Sequence, residues 1–437
     1  MALHNLVSIL TALLLAATVP ACGSEESATD TGADAGSTTD SSATTDAIAG
    51  GDALPGLAPA KTLFDPLGVH EVQITLAPAD WQDILATAAD VSLVRNYHTA
   101  EVLYDGVAYH KVGTRVFGES SMWNYPEKPN IRLKFDEIDN ALKGPDDMDS
   151  IRLKAGGSEP TFLRELITLD LLRSVAKAAP RFSFARVTVN GKFMGFYQLS
   201  EQPDSHLFKR AFGDGKGNVY EPLMVCFGLN CPPEGCDTLK SKYTLKQGDF
   251  AEITALATTI QNATDAEFAA KVDAQADLAD LLAVYAVEDV ASEMDGLAAS
   301  GTNFQFYVDP KDKRVHVVRA GVDETLGPNT LTLLHPWGPP NVLCKTRDER
   351  FFNRMLAIPA LKTQYLAIQK KLLCGAFAEA PLLKWIEERR PLLRAELERD
   401  PFVTVKGADY DSEVDSLENW IDQRTLALQK LVGSTCP

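Results

Sequence analysis

The chain has 437 residues, 45% hydrophobic and 23% charged, which is ordinary for a folded protein and long for one compact core, so one large or two associated domains are expected. Its formal net charge of -18 argues against nucleic acid and anionic membrane surfaces as partners, because both demand a basic face. Part of that charge lies near the N-terminus, where Glu25, Glu26, Asp30, Asp34, Asp40, Asp46 and Asp52 stand against no Lys or Arg.

Residues 6–19 form an apolar run broken by Ser and Thr, too short to span a bilayer and followed by small residues, as in a secretory signal. Val19-Pro20-Ala21-Cys22 resembles a bacterial lipobox, in which the Cys thiol is acylated. Pro20 is unusual there and residues 1–5 carry no Lys or Arg, so a plain cleavable signal with an incidental Cys is the alternative. Residues 23–60 are acidic and rich in Ser, Thr and Ala, without apolar periodicity, and read as a disordered tether. The expectation is an exported lipoprotein of the bacterial cell envelope, membrane-anchored through a lipidated Cys22.

Folded chain is expected from Leu63. Residues 70–76 alternate as a strand, 78–88 read as a short helix, and 99–104 pair with 107–111 through Asp105-Gly106. A strand then leads to a loop with Gly118, Ser120 and Ser121, followed by a strand carrying Lys128, Arg132 and Lys134. Loop amides and hydroxyls beside a lysine suit phosphate oxygens, although Gly-x-Ser-Ser is also a common turn. Residues 160–178 place Phe162, Leu166, Leu169, Leu172 and Ala176 on one helical stripe. Residues 184–189 and 192–199 form a hairpin about Asn190-Gly191 that ends toward Glu201. The glycines of 212–218 follow no strand that opens a helix and read as a loop, not a dinucleotide fingerprint.

Residues 251–259 and 266–293 are helical in pattern, and from 290 to 327 the chain places acids and an amide at element ends. A helix stops at Asp295-Gly296, a strand starts at Asn303, the turn Asp309-Pro310-Lys311-Asp312 follows, and a second strand runs into Gly321-Val322-Asp323. Two carboxylates and a carboxamide suit a hard cation such as magnesium, and a free carboxylate beside it can act as a general base. Capping and turn roles for the same residues are the structural alternative. Residues 349–361, 363–373, 380–399 and 412–431 read as helices, and His335-Pro336-Trp337 begins a rigid loop that reads as a surface crossing, with a place at the border of the site as the alternative. Cys226, Cys231, Cys236, Cys344, Cys374 and Cys436 make an even set that favours disulfides in an exported chain, with no zinc-type spacing.

Several blocks in this order resemble the spore-coat protein H (CotH) kinase family: Val112-Gly-Thr-Arg115, Gly118-Glu-Ser-Ser-Met-Trp123, Arg132-Leu-Lys-Phe135, Leu163-Arg-Glu-Leu166, residues 187–202, Asp295-Gly296, Asn303, and Gly321 through Gly327. The resemblance implies an α+β, divergent protein-kinase-like two-lobed fold, with β-hairpins in the N-terminal part and helices in the C-terminal part. It implies a core over 61–335, with 336–437 as the helical remainder of the same domain. Asp295 would be the catalytic acid residue that accepts the hydroxyl proton, and Asn303 and Asp323 would hold Mg2+ or Mn2+. Arg115, Gly118, Ser120, Ser121 and Lys128 would meet ATP, with Glu165 pairing to Lys128 and Glu201 at the hinge-like segment near adenine. Gly321 stands where the family's first aspartate is usual, and Ala320 where its tryptophan is. Lys128 lies one residue farther from Arg132 than expected, which makes Lys134 the fallback.

The activity so implied is ATP-dependent phosphorylation of Ser or Thr hydroxyls on a protein substrate. ATP is scarce outside the cytoplasm, so a catalytically weakened or inactive kinase-fold protein of the cell envelope, used for binding or adhesion, is the alternative. Metal-dependent glycan binding or processing is a third reading, supported by the acids alone.

Overall fold

In a computed structural model, the chain divides into units Met1–Asp52 and Ala53–Pro437. The structure describes residues 57–90, 92–118, 125–222, 235–236, 240–241, 243–297, 299, 301–327, 350–433 and 436. The signal-like segment, Cys22, most of the tether, Ser120, Ser121, Cys226, Cys231, Cys344 and the His335 loop lie outside the described residues.

The first half builds a sheet from β1 (Ala58–Pro59), β2 (Gly68–Leu76), β3 (His98–Tyr104), β4 (Val107–Val116), β5 (Ile131–Lys134), β6 (Ser150–Lys154), β7 (Phe182–Val189) and β8 (Lys192–Glu201), with α1 (Pro78–Ala89) and α2 (Arg164–Val175) between them. The strand order is β1-β2-β3-β4-β5-β6-β8-β7, and β7 pairs in parallel with β2, which closes the sheet on itself. Closure removes free edges. The two-residue turns behave as their sequences dictate: Asp105 and Gly106 have φ of 47° and 80°, and Asn190 and Gly191 have 49° and 78°. Alternation along the strands sends Val72, Ile74, Val102, Leu133, Ile151, Leu153, Val187 and Leu199 into one buried cluster. The opposite face of β7 and β8 gives Phe182, Phe184 and Phe196 to a second cluster shared with the helices.

That second half holds α3 (Ser205–Phe212), β9 (Val219–Pro222), β10 (Tyr243–Gln247), α4 (Ala251–Asn262), α5 (Asp265–Asp273), α6 (Leu278–Ala291), β11 (Phe304–Val308), β12 (Val315–Arg319), α7 (Arg350–Ala357), α8 (Pro359–Leu373), α9 (Glu379–Arg399) and α10 (Gly407–Val432). Strands β10-β9-β11-β12 form a small antiparallel sheet. Helices α2, α4, α6 and α7 to α10 contribute to a single core, in which thirteen of the fourteen residues of α6 are buried. The fold is therefore mixed α and β, a closed sheet followed by a helical part. Among the described residues no helix is long and apolar enough to cross a membrane.

Several expected helices have different bounds. The stretch 266–293 is two helices, because Gln275 and Asp277 turn their backbones to pair with Val315 and Asp277 then caps α6. The stretch 160–178 narrows to α2, since Phe162 takes a left-handed φ of 59° that no helix continues through. Pro359 starts α8 earlier than expected, where a proline suits the first helical turn. Of the cysteines, Cys374 bonds Cys436 and ties the end of α8 to the tail after α10, and Cys236 is also disulfide-bonded.

Candidate active site

Strands β5 and β6 carry the same tetrapeptide, Ile-Arg-Leu-Lys, and pair antiparallel with each other. In that register Arg115, Arg132 and Arg152 are successive cross-strand partners, so three guanidinium stems share one face of the closed sheet. Arg152 reaches out to the helical half by donating to Ala320 O at 2.6 Å, and it also donates to Glu201 O of β8 at 3.0 Å.

Two residues farther along β6, on the same face, Lys154 meets Glu165 from the first turn of α2. Its Nζ lies 2.6 Å from Glu165 Oε2 and 3.3 Å from Asp323 Oδ1. One buried ammonium thus joins a strand, a helix and the loop after β12. Burial works against its charge, but Asp323 and Glu165 outweigh that and hold the ammonium above its ordinary pKa. Burial likewise disfavours the Asp323 carboxylate, yet the charge of Lys154, with hydrogen bonds from the Asp323 amide, Ser158 and Lys154, keeps it below the usual range.

Asp295 and Asn303 flank the loop between α6 and β11. Asn303 Nδ2 donates to Asp295 Oδ2 at 2.5 Å, and Asn303 takes a left-handed φ of 54°, a conformation asparagine tolerates. Gly296 is required by packing: a Cβ there would lie 2.6 Å from the carboxyl carbon of Glu288. That carboxylate accepts from the Leu297 amide and pairs with Arg319 at 3.2 Å.

Arg319, fully buried at the end of β12, was not singled out in the sequence. It donates to Thr302 O, Asp295 O and Gly321 O, so one guanidinium fixes both loops that carry Asp295, Asn303 and Asp323. Nearby acids are crowded. Glu324 opens to solvent, yet desolvation by its packed surroundings, then the charges of Asp323 and Asp295, push its carboxyl up to about 7. Burial, then repulsion from Asp295 and Glu288, drives Glu293 well above the usual carboxylate range.

The lysine assignment changes. Lys128 does not meet Glu165: fully buried, it donates to Ala155 O, Phe196 O and Asp400 Oδ2 at 2.9, 2.8 and 2.7 Å. Lys134, the fallback, pairs with Glu137 and Asp136. Lys154 takes the place beside Glu165, and the repeated Ile-Arg-Leu-Lys was the signal that a second strand of the same kind lay closer in sequence to that helix. Glu201 also departs from expectation, because its buried carboxylate is held by Arg181 and Arg210. Arg115 lies over the ring of Tyr97 at 4.7 Å, and Gly118 follows β4 with a left-handed φ of 84°.

Asp295, Asn303 and Asp323 offer carboxylate and carboxamide oxygens, a donor set that fits magnesium or manganese. A Cβ placed on Gly321 would lie 3.4 Å from Asp323 Oδ1 and 3.9 Å from Asn303 Cγ, so a single small region touches both groups. The arrangement combines a buried cation, a hard-ion donor set and a carboxylate beside it.

The family described as "CotH kinase protein" matches residues 114–428, which include all of these groups. No curated protein matches the chain with significance. Among solved structures the chain is similar to a Helicobacter pylori proinflammatory kinase, CtkA, at 11% identity over 69% of this chain and 94% of that one, with a TM-score of 0.27. It is also similar to the complex of HipA, HipB and operator DNA from the Shewanella oneidensis MR-1 toxin antitoxin system, at 12% identity over 67% and 63%, with a TM-score of 0.29. Likeness this distant supports no conclusion about this chain.

Proposed function

Because this chain belongs to the CotH kinase protein family, we propose that it is an atypical protein kinase that transfers the γ-phosphate of ATP to Ser or Thr hydroxyls of a protein. The observation that carries this reading is the single ammonium of Lys154 held between Glu165 and Asp323. Phosphoryl transfer asks a protein mainly for positioning and for charge placed where charge develops.

In this reading the closed sheet and the helical part act as two lobes. Lys154 meets the phosphates in place of Lys128, and Glu165 keeps its ammonium aimed. Arg115 and Gly118 line the approach to the phosphates from the sheet side, and Ser120 and Ser121 keep the phosphate-binding role that the family resemblance implies. Asp295 accepts the proton of the attacking hydroxyl, and the Asn303 amide holds that carboxylate in orientation. Asn303 and Asp323 would hold Mg2+ or Mn2+, which would supply charge that neutralises the phosphates. The adenine end lies toward the chain leaving β8 after Glu201, whose carboxylate is engaged elsewhere. Export and anchoring through an acylated Cys22 remain part of the proposal, supported by the apolar run at 6–19 and its lipobox-like end.

Gly321 favours a second reading. With no side chain there, the ion has one carboxylate fewer than the family pattern offers, and a chain exported away from ATP has little use for fast turnover. The protein is then a weakened or inactive kinase fold that binds at the cell envelope. Incubation with labelled ATP and Mg2+ or Mn2+, beside Asp295→Ala, separates the two. The kinase reading expects phosphate incorporation that falls at least about a hundredfold in the variant, the scale of a lost general base. Metal-dependent nucleotide binding with equal, negligible incorporation by both proteins sinks it in favour of the binding protein.

A further inference from the structure

Away from the Asp295 cluster, the turn that joins β11 to β12 gathers a second set of ligand-type side chains. Asp309, Asp312 and His316 each offer an atom, all within 4.8 Å of one another. The two aspartates alone would be ordinary turn residues, since Asp309 accepts from the Lys311 amide and Asp312 from the Arg314 amide. His316 is different. It is only 1% exposed, and neither ring nitrogen makes a hydrogen bond among the described residues. A buried imidazole without a hydrogen bond carries a desolvation cost that its neighbours must offset.

Its surroundings indicate what offsets it. Nε2 faces Asp312 Oδ1 at 4.0 Å, while Nδ1 faces Asp280 Oδ2 at 3.4 Å and Asp277 Oδ2 at 3.9 Å. Asp280 Oδ2 also lacks a hydrogen bond among the described residues. The ring of Phe212 covers the imidazole, with centroids 4.6 Å apart. Neighbouring cations are engaged elsewhere: Lys177 and Arg314 pair with Asp277, Arg314 also with Asp273, and Lys311 Nζ donates to Phe212 O.

We propose that Asp309, Asp312 and His316 Nε2 bind a divalent cation of the zinc type, a site separate from the one built on Asn303 and Asp323. One imidazole with two carboxylates suits zinc or manganese better than magnesium or calcium, which prefer oxygen alone. Asp280 stands behind Nδ1 where a carboxylate commonly fixes the tautomer and orientation of a metal-ligating histidine. Asp312 is exposed on the turn, and its side chain reaches the ion by turning inward, at the cost of the bond from the Arg314 amide. Bound there, the ion fastens the end of the hairpin opposite the one that delivers Arg319 and Asp323.

The test is calorimetric titration of the full-length protein with Zn2+, in an Asp323→Asn background that weakens the other site. One equivalent should bind in that background. Asp312→Asn, on the exposed turn, should weaken it at least about tenfold, and Asp280→Asn, which touches no ion, by about tenfold to a hundredfold. Zn2+ should also raise the thermal midpoint of the parent and not of Asp312→Asn, with the metal-free midpoints reporting that both are folded. Equal Zn2+ affinity in the parent and Asp312→Asn, or no binding by the parent, overturns the proposal; so would an unchanged affinity in Asp280→Asn for the role given to that residue.

Discussion

At the scale of single residues, Gly321 and Glu324 set the charge that a cation would meet. Space at Gly321 is ordinary, with Asp323 Oδ1 3.4 Å from where a Cβ would lie, and its backbone is outside the left-handed region, so a side chain fits without strain. Gly321→Asp should tighten Mn2+ binding by about tenfold, because charge count tunes such sites, and titration of the two proteins reads it directly. An unchanged affinity would mean that the new carboxylate does not share the ion. Glu324 introduces a pH dependence. Its folded pKa of about 7 lies above the value of about 4.3 for a free glutamate, so the folded chain holds a proton that the unfolded chain has released. Stability should therefore fall as pH rises between those values, while the carboxylate formed near pH 7 adds negative charge beside Asp323 and Asp295. Mn2+ should bind more tightly at pH 8 than at pH 6, and Glu324→Gln should remove most of that difference.

Among the elements, β6, α2 and β12 matter most because each carries at one end a charged group that another element needs. Lys154 closes β6, Glu165 lies in the first turn of α2, and Arg319 closes β12, so the register of a strand and the start of a helix decide whether the charges meet. The C-terminal helices are secured differently. The Cys374–Cys436 bond spans 62 residues and fastens the end of α8 beyond α10. Opening it in a Cys374→Ser and Cys436→Ser double variant should cost about 2 to 5 kcal/mol, measured as a lower denaturant midpoint. A midpoint equal to that of the parent would show that α10 docks as firmly through Tyr410, Val414, Leu417 and Ile421 alone.

Across the whole molecule, Lys128 and Asp400 join the closed sheet to the helical part. Both side chains are fully buried. Asp400 accepts from Lys128 and the Phe196 amide through one oxygen, and from the Phe402 and Val403 amides through the other. Gly195 makes room for it: its φ is 104°, and a Cβ would come within 2.1 Å of Asp400 Oδ2. Burial pulls the Lys128 ammonium down to about 8, against the opposing pull of Asp400. Lys128→Met should therefore destabilise the fold by about 3 to 5 kcal/mol, as expected when one member of a buried pair is stranded, and Lys128→Met with Asp400→Asn should recover part of the loss. If Lys128→Met keeps its stability and instead loses nucleotide binding, the lysine roles drawn above are reversed.

Much of this protein follows from local chemistry that a sequence displays. Asp105-Gly106 and Asn190-Gly191 determine their turns because only residues tolerant of positive φ fit them. Alternation in 70–76 determines which side chains enter the sheet interior, and Asp295, Asn303 and Asp323 stand out because polar groups at element ends are where a scaffold can aim them. The lysine was another matter. Ile-Arg-Leu-Lys occurs twice, and nothing local distinguishes Lys134 from Lys154; the antiparallel pairing of the two copies, and the docking of α2 against β6, put Lys154 and not Lys128 beside Glu165. The same holds for Arg319 and Asp400, whose partners lie in other elements. Turns and periodicity are decided within a few residues, whereas the value of a buried charge depends on the partner that folding brings to it, and tertiary structure alone decides that.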